Sequence, residues 1–202
     1  MATDTSGPHQ PRSPLMMNSF DTALIVIDMQ EKLLPHISEA KIVTWNIGRL
    51  LAGADALGVK VGGTEQYPRG LGETVTEISQ PLHRLAGDHR VDEKIMFSCR
   101  QCKTLFDGLA ADGIRKLLLC GIETHVCVAQ TALDMLAAGF DVFLCVDAVG
   151  TRHPIDHEIA LRRLESSGCT LTTTEAALFE WCETAGAEGF KRISKLVQET
   201  LA

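Results

Sequence analysis

The sequence predicts an α/β protein, with three αβα layers built on a mostly parallel, six-stranded sheet wound in the Rossmann-like manner. Three observations carry that expectation. Short, nearly continuous apolar runs recur along the chain, and helix-length amphipathic stretches separate them. Gly58, Gly113, Gly139 and Gly168 each close a helical stretch just before an apolar run, where a left-handed cap ends a helix.

Taken in order, Ala23 to Asp28 reads as a strand buried on both faces, and Val59 to Val61 as a second. A weaker strand lies near Lys94 to Phe97. Lys116 to Cys120 and Asp141 to Val146 are strongly apolar, and the β-branched Cys169 to Thr173 suits a sheet edge. Between them, Val126, Ala129, Leu133, Leu136 and Phe140 fall on one helical face. Ile155, Ile159 and Leu164 do so more loosely, and Phe190, Ile193, Val197 and Leu201 mark a C-terminal helix. Right-handed crossovers then make the sheet parallel.

The chain has 202 residues, enough for one domain that buries its core without disulfides or metals. Residues 1–18, rich in Pro, Ser and Thr, are expected to be a disordered lead-in to a domain spanning 19–202. A formal charge of -7 and the lack of a basic stripe argue against nucleic acid as partner. The apolar runs are too short to cross a membrane. Seven cysteines, an odd number set within apolar segments, fit reduced thiols in a cytosol better than a secreted disulfide framework. Arg12 with Ser6 and Ser13 leaves organellar import open.

In a parallel sheet, ligands bind beyond the carboxyl ends of the strands. The residues there are Asp28, then Gly62 to Gln66, then Gly121 to Cys127, then Asp147. Thr124 is a good N-cap, which puts Cys127 in the first turn of a helix, where the dipole favours a thiolate. On position alone, a buried structural cysteine fits as well as a nucleophile.

Three spaced motifs carry a resemblance. Leu24–Gln30 (Leu-Ile-Val-Ile-Asp-Met-Gln), Lys94 in Glu-Lys-Ile-Met-Phe-Ser, and Gly121–Val128 (Gly-Ile-Glu-Thr-His-Val-Cys-Val) resemble the isochorismatase-like cysteine hydrolases. Gln66 to Gly72 and Phe190 to Leu196 are closest to the isochorismatase domain-containing branch, which has no assigned substrate. The resemblance implies a catalytic triad. Asp28 moves the thiol proton, Lys94 favours the thiolate, and Cys127 attacks an electrophilic carbon to give a thioester. It also implies an oxyanion hole from the backbone N–H groups of Glu123 and Cys127, with a cis bond between Ile122 and Glu123. Gln66, Tyr67 and Phe97 are expected to meet a small-molecule substrate, an amide or related C–N compound, and the protein is expected to form homo-oligomers.

Nicotinamidases of this family carry an Asp-x-His metal pattern after the second strand; here that place reads Thr64-Glu65-Gln66-Tyr67, and neither His83 nor His89 has an evident co-ligand. No metal or organic cofactor is therefore expected, and nicotinamide is not the expected substrate. The Cys99–Cys102 pair lacks a second pair to close a zinc site and reads as two incidental cysteines beside a helix start. His125, two residues from Cys127, points to another side of the helix. No Gly-x-Gly-x-x-Gly follows the first strand, so dinucleotide binding has no support. Two readings of other classes stand beside the hydrolase: a binding or regulatory protein that keeps the site, and a thiol redox sensor.

Overall fold

The structure, a computed structural model, describes residues 11–87 and 91–201. Its strands are β1 (Thr22–Ile27), β2 (Lys60–Gln66), β3 (Val91–Lys94), β4 (Lys116–Ile122), β5 (Asp141–Gly150) and β6 (Thr170–Thr172). The helices are α1 (Ala40–Leu57), α2 (Pro68–Leu71), α3 (Thr76–Ala86), α4 (Lys103–Ala111), α5 (Ala129–Ala137), α6 (Pro154–Ser166), α7 (Thr174–Cys182) and α8 (Phe190–Val197). The strands form one sheet in the order β3-β2-β1-β4-β5-β6, and every pair is parallel.

Alternation along each strand sets the layers, because successive side chains point to opposite faces. In β1, Leu24 and Val26 join a core with Val43, Ile47 and Leu50 of α1, Leu82 of α3, Leu178 of α7 and Ile193 of α8. Ala23, Ile25 and Ile27 instead join Leu105 and Leu109 of α4, Ala132 and Met135 of α5, and Leu164 of α6. β4 divides the same way, Leu118 and Cys120 to the first core and Leu117 and Leu119 to the second. Each fully buried Leu or Ile contributes about 1.5–3 kcal/mol, so both layers are strongly held.

The glycine caps appear as expected: Gly58 ends α1 in the left-handed region, and Gly113, Gly139 and Gly168 also have positive φ. Several boundaries differ. β2 runs through Gly62 and Gly63 to Gln66 instead of stopping at Val61. Those glycines leave room for helices on both faces, since a Cβ would come within 2.8 Å of Leu105 at Gly62 and of Leu82 at Gly63. β3 ends at Lys94 rather than beginning there. The buried face of α5 is Ala129, Thr131, Ala132 and Met135, with Leu133 and Leu136 at its margin, because small residues let the helix sit close to the sheet. On α6 only Ala160 and Leu164 are buried; Ile155 and Ile159 face outward. Leu201 lies beyond the end of α8.

Residues 1–10 of the N-terminal lead-in, and His89, lie outside the described residues. The rest of the lead-in is tied to α7: Arg12 donates to the Glu180 carbonyl and pairs with Glu183, while the Met17 N–H donates to the Glu180 carboxylate. Met17 itself is fully buried.

Candidate active site

β1 leaves the sheet at Asp28, whose φ of 51° is unusual for a residue with a side chain. Its N–H still donates to the Thr64 carbonyl, so the carboxylate is fixed at the β1–β2 boundary. Gly121, next to the end of β4, has φ 115°, and a Cβ there would lie 2.0 Å from the Ile27 carbonyl oxygen. Only glycine lets β4 approach the tip of β1 so closely. Beyond it the Ile122–Glu123 bond is cis, and a single π-helical turn, Thr124–Val128, delivers Cys127. β3, two strands from β1, ends on Lys94.

Three strand ends thus bring Asp28, Lys94 and Cys127 together. Lys94 Nζ donates to Asp28 Oδ2 at 2.6 Å, to Gln66 Oε1 at 2.8 Å and to the Phe97 carbonyl at 2.9 Å. An ammonium has three N–H bonds, so all of its donors are used. The Asp28 and Lys94 side chains are both 0% exposed. Thr64 Oγ1 donates to Asp28 Oδ1 at 2.8 Å, and the Cys127 thiol lies near enough to feel the charge of the same carboxylate.

Burial raises the Asp28 pKa, and Lys94, Cys127 and Thr64 pull it back only in part. For Lys94, burial opposes the charge, yet the Asp28 carboxylate beside it outweighs that cost and holds the ammonium. Burial pushes the Cys127 thiol well up, the Asp28 charge adds to this, and Lys94 works against both. Helix position and Lys94 favour the thiolate, while burial and the Asp28 charge oppose it. Thr124 is not the N-cap: that position is Glu123, and the Thr124 hydroxyl pairs with His157 Nδ1 at 3.1 Å. Lys94 spends its charge on Asp28 until that carboxylate is neutralised.

The other expected residues divide. Gln66 is a buried strut, not a free contact: its Oε1 accepts from Lys94 and its Nε2 donates to the Ile95 carbonyl. Phe97 meets Lys94 through its carbonyl, while its side chain is exposed. Tyr67 is half-exposed with φ 39° and lines a hollow of about 310 Å³ with Pro68, Arg69, Glu93, Lys94, Ile95 and Gln101. Glu123 is clamped by Arg152, whose N–H and Nε donate to its carboxylate at 3.0 and 3.1 Å. His125 faces α6, with Nε2 3.8 Å from Asp156. Asp147 holds the start of α7 by accepting from the Thr174 N–H and hydroxyl.

Sequence reasoning missed Gln30, Thr64 and Cys99. Gln30 brackets the Gln66 backbone, donating to its carbonyl and accepting from its N–H. Thr64 pairs with Ile27 in register, which makes it the sheet neighbour of the tip of β1. Register against β1 is the signal that would have found it, and sequence does not print register. Cys99, treated as incidental, has its sulfur 3.5 Å from the Thr64 hydroxyl.

The donors where related enzymes carry a metal do not fit one here. Thr64 is committed to Asp28, Glu65 accepts from the N–H and hydroxyl of Thr74, and Gln66 is bound to Lys94. Among the described residues no group of three or more His, Cys, Asp or Glu side chains is placed to hold an ion.

Fold and site define a three-layer α/β protein with a buried carboxylate, ammonium and thiol at the carboxyl ends of its strands. Residues 22–176 match the Isochorismatase domain family, and the chain belongs to this family of isochorismatase-like hydrolases. It is 39% identical over 181 residues to the secreted isochorismatase effector Isc1 of Phytophthora sojae, covering 89% of this chain and 86% of that one. It is 36% identical over 177 residues to isochorismatase domain-containing protein 1 of Salmo salar, covering 88% of this chain but only 61% of that longer protein. Among solved structures, MAR1 ribonuclease from Caenorhabditis elegans superposes with a TM-score of 0.85 at 34% identity, covering 93% of this chain and 94% of that one.

Proposed function

We propose that this hydrolase cleaves a small amide or related C–N substrate through a thioester on Cys127, without metal or organic cofactor. The observation that carries the reading is the meeting of Asp28, Lys94 and Cys127 in one buried cluster, with Lys94 bonded to Asp28 and the Cys127 thiol close enough for both charges to act on it. Asp28, made more basic by burial, takes the thiol proton as sulfur bonds to the carbonyl carbon. Once Asp28 is neutral, the Lys94 charge falls on the sulfur and on the forming tetrahedral adduct. The proton returns to the amine leaving group, and water then cleaves the thioester. The backbone N–H groups of Glu123 and Cys127 are the proposed oxyanion donors, and Tyr67 and Phe97 the proposed substrate rim.

A structural relative bears the name ribonuclease, but a formal charge of -7 makes an RNA substrate electrostatically unfavourable for this chain. Ile95, Phe97, Ile155 and Ile159 are more than half exposed, which supports a homo-oligomer that covers them. The described cysteines are all free and buried, which supports a reducing, cytosolic setting. No helix among the described residues is long and apolar enough to cross a membrane.

The test is turnover of a panel of small amides and of single-stranded RNA, with intact-mass detection of the acyl-enzyme. The reading expects amide turnover that Cys127→Ala abolishes and an adduct on Cys127. RNA cleavage that survives Cys127→Ala, with no amide turned over, sinks it.

A further inference from the structure

Cys99 is a second buried thiol beside the Asp28 carboxylate, and the proposed reaction gives it no part. It is 0% exposed, and its sulfur lies 3.5 Å from Thr64 Oγ1, which in turn lies 2.8 Å from Asp28 Oδ1. A hydroxyl carries one proton. While Asp28 is ionised it can only accept, so the Thr64 proton belongs to Oδ1. The contact between Thr64 and Cys99 is then made by the thiol proton, donated to Thr64 Oγ1.

We propose that Cys99 and Thr64 form a reversible hydrogen-bond chain that positions Asp28 and lets it accept and return a proton without leaving an oxygen unpaired. The proposal rests on the reading of Cys127 as nucleophile. As the Cys127 S–H bond breaks and the S–C bond forms, the proton has one suitable place on Asp28. Oδ2 faces Lys94 Nζ, which has only donors, so a proton there would meet N–H. Oδ1 faces Thr64, whose hydroxyl can rotate. It then accepts from the new Oδ1–H and donates to Cys99 Sγ, and the Cys99 thiol proton swings away. When the proton leaves for the amine, both rotors return. No proton travels along the chain, and no electrons change hands.

A thiol suits the far end of such a chain. Sulfur is a weak donor and a weak acceptor, so turning it around in an apolar surrounding costs less than turning a hydroxyl. Ile25, Ile27, Leu105 and Val128 belong to the same buried cluster as Cys99. Burial keeps the Cys99 thiol protonated by pushing its pKa up to about 11. Thr64 and Cys99 are thus positioning residues that act through Asp28.

The experiment follows the Asp28 carboxyl carbon by NMR against pH in the full chain labelled at aspartate carboxyls. In parallel, intact mass and peptide mapping follow Cys127 alkylation by iodoacetamide. Thr64→Val removes the donor to the ionised carboxylate and is expected to raise the Asp28 titration by about one to two pH units. Thr64→Ser restores the wild-type value. Cys99→Ser, a stronger donor that locks Thr64 toward Asp28, lowers it, and the acidic limb of Cys127 alkylation moves with Asp28 in each variant. An Asp28 titration unchanged in Thr64→Val, or not restored by Thr64→Ser, overturns the chain. If Thr64→Val does not fold, Cys99→Ser decides: no downward shift overturns it. A wild-type Cys127 that alkylates without regard to Asp28→Asn defeats the nucleophile reading instead, and the carboxyl titration still judges the chain.

Discussion

β1 carries an aspartate at each end, and each is paired with a lysine from another strand. At the amino end, Asp21 meets Lys116 of β4 at 2.7 Å, with 20% and 8% of their side chains exposed. At the carboxyl end, Asp28 meets Lys94 of β3 at 2.6 Å with neither exposed. The chemistry is the same and the shifts are opposite. Burial pushes Asp21 up, but Lys116, Asn18 and Thr22 outweigh it, and its pKa falls. At Asp28 burial wins, and its pKa rises. One pair is a clip that staples β1 to β4. The other is a buried carboxylate, the group proposed as the base, whose charge the fold tolerates only because Lys94 is beside it.

The widest separation between the two ends is expected in reactivity. Asp28→Asn should lower turnover by about 10²–10⁴-fold, the share of a positioned general base, while Asp21→Asn leaves it unchanged. The same Asp28 variant should move Cys127 alkylation to lower pH, since it removes a carboxylate that holds the thiol up and frees Lys94 to stabilise the thiolate. An alkylation profile that stays put in Asp28→Asn would disconnect the two residues.

Stability should separate the pairs next. Lys94→Met leaves a buried carboxylate without its counter-charge and is expected to cost about 3–5 kcal/mol in urea unfolding. Lys116→Met should cost about 1 kcal/mol, because water reaches that pair. Equal losses would mean that the two ends are solvated alike.

The pH dependence should differ in sign. A lowered Asp21 contributes stability that is present above the unfolded pKa near 3.8 and lost as pH falls through its folded value. A raised Asp28 does the reverse: its contribution is full below 3.8 and lost as pH rises through its folded value. Subtracting the urea midpoints of each Asn variant from wild type across acidic pH should therefore give curves of opposite slope.

The smallest effect belongs to an aspartate whose two partners are exposed. Asp55 of α1 pairs with Arg84 of α3 and Arg192 of α8, which lower its pKa. Asp55→Asn should cost about 0.5–1 kcal/mol and weaken the pH dependence only below 3.8, as measured by the same urea melts.

The layer architecture was legible because β1 and β4 are apolar at nearly every position, which only a doubly covered strand tolerates. Asp28 and Cys127 were legible as strand-end residues, and Lys94 through its motif. What sequence hid was set by register and distance. Thr64 became a neighbour of Asp28 only through the β1–β2 pairing, and Cys99 only through the packing of the turn before α4. The direction of the Cys127 shift was hidden too, since it depends on how deeply the thiol lies and on Lys94 being already spent. Position in a first helical turn argued for a thiolate; desolvation is the larger influence. The outward Ile155 and Ile159 show a similar limit, because helical spacing finds an apolar face but not what lies against it.

Lys94 sits on the outermost strand of the sheet. β3 is paired to β2 through four residues and, among the described residues, has no strand on its other side. Such a strand opens locally at a smaller free energy than the whole domain. One opening event would withdraw Nζ from Asp28, Gln66 and the Phe97 carbonyl together, leaving both hydrophobic cores in place. Function and fold would then fail at different thresholds. In rising denaturant, turnover would disappear while the central strands still protected their amides from hydrogen exchange, and the amides of Val91 to Lys94 would be among the first to exchange.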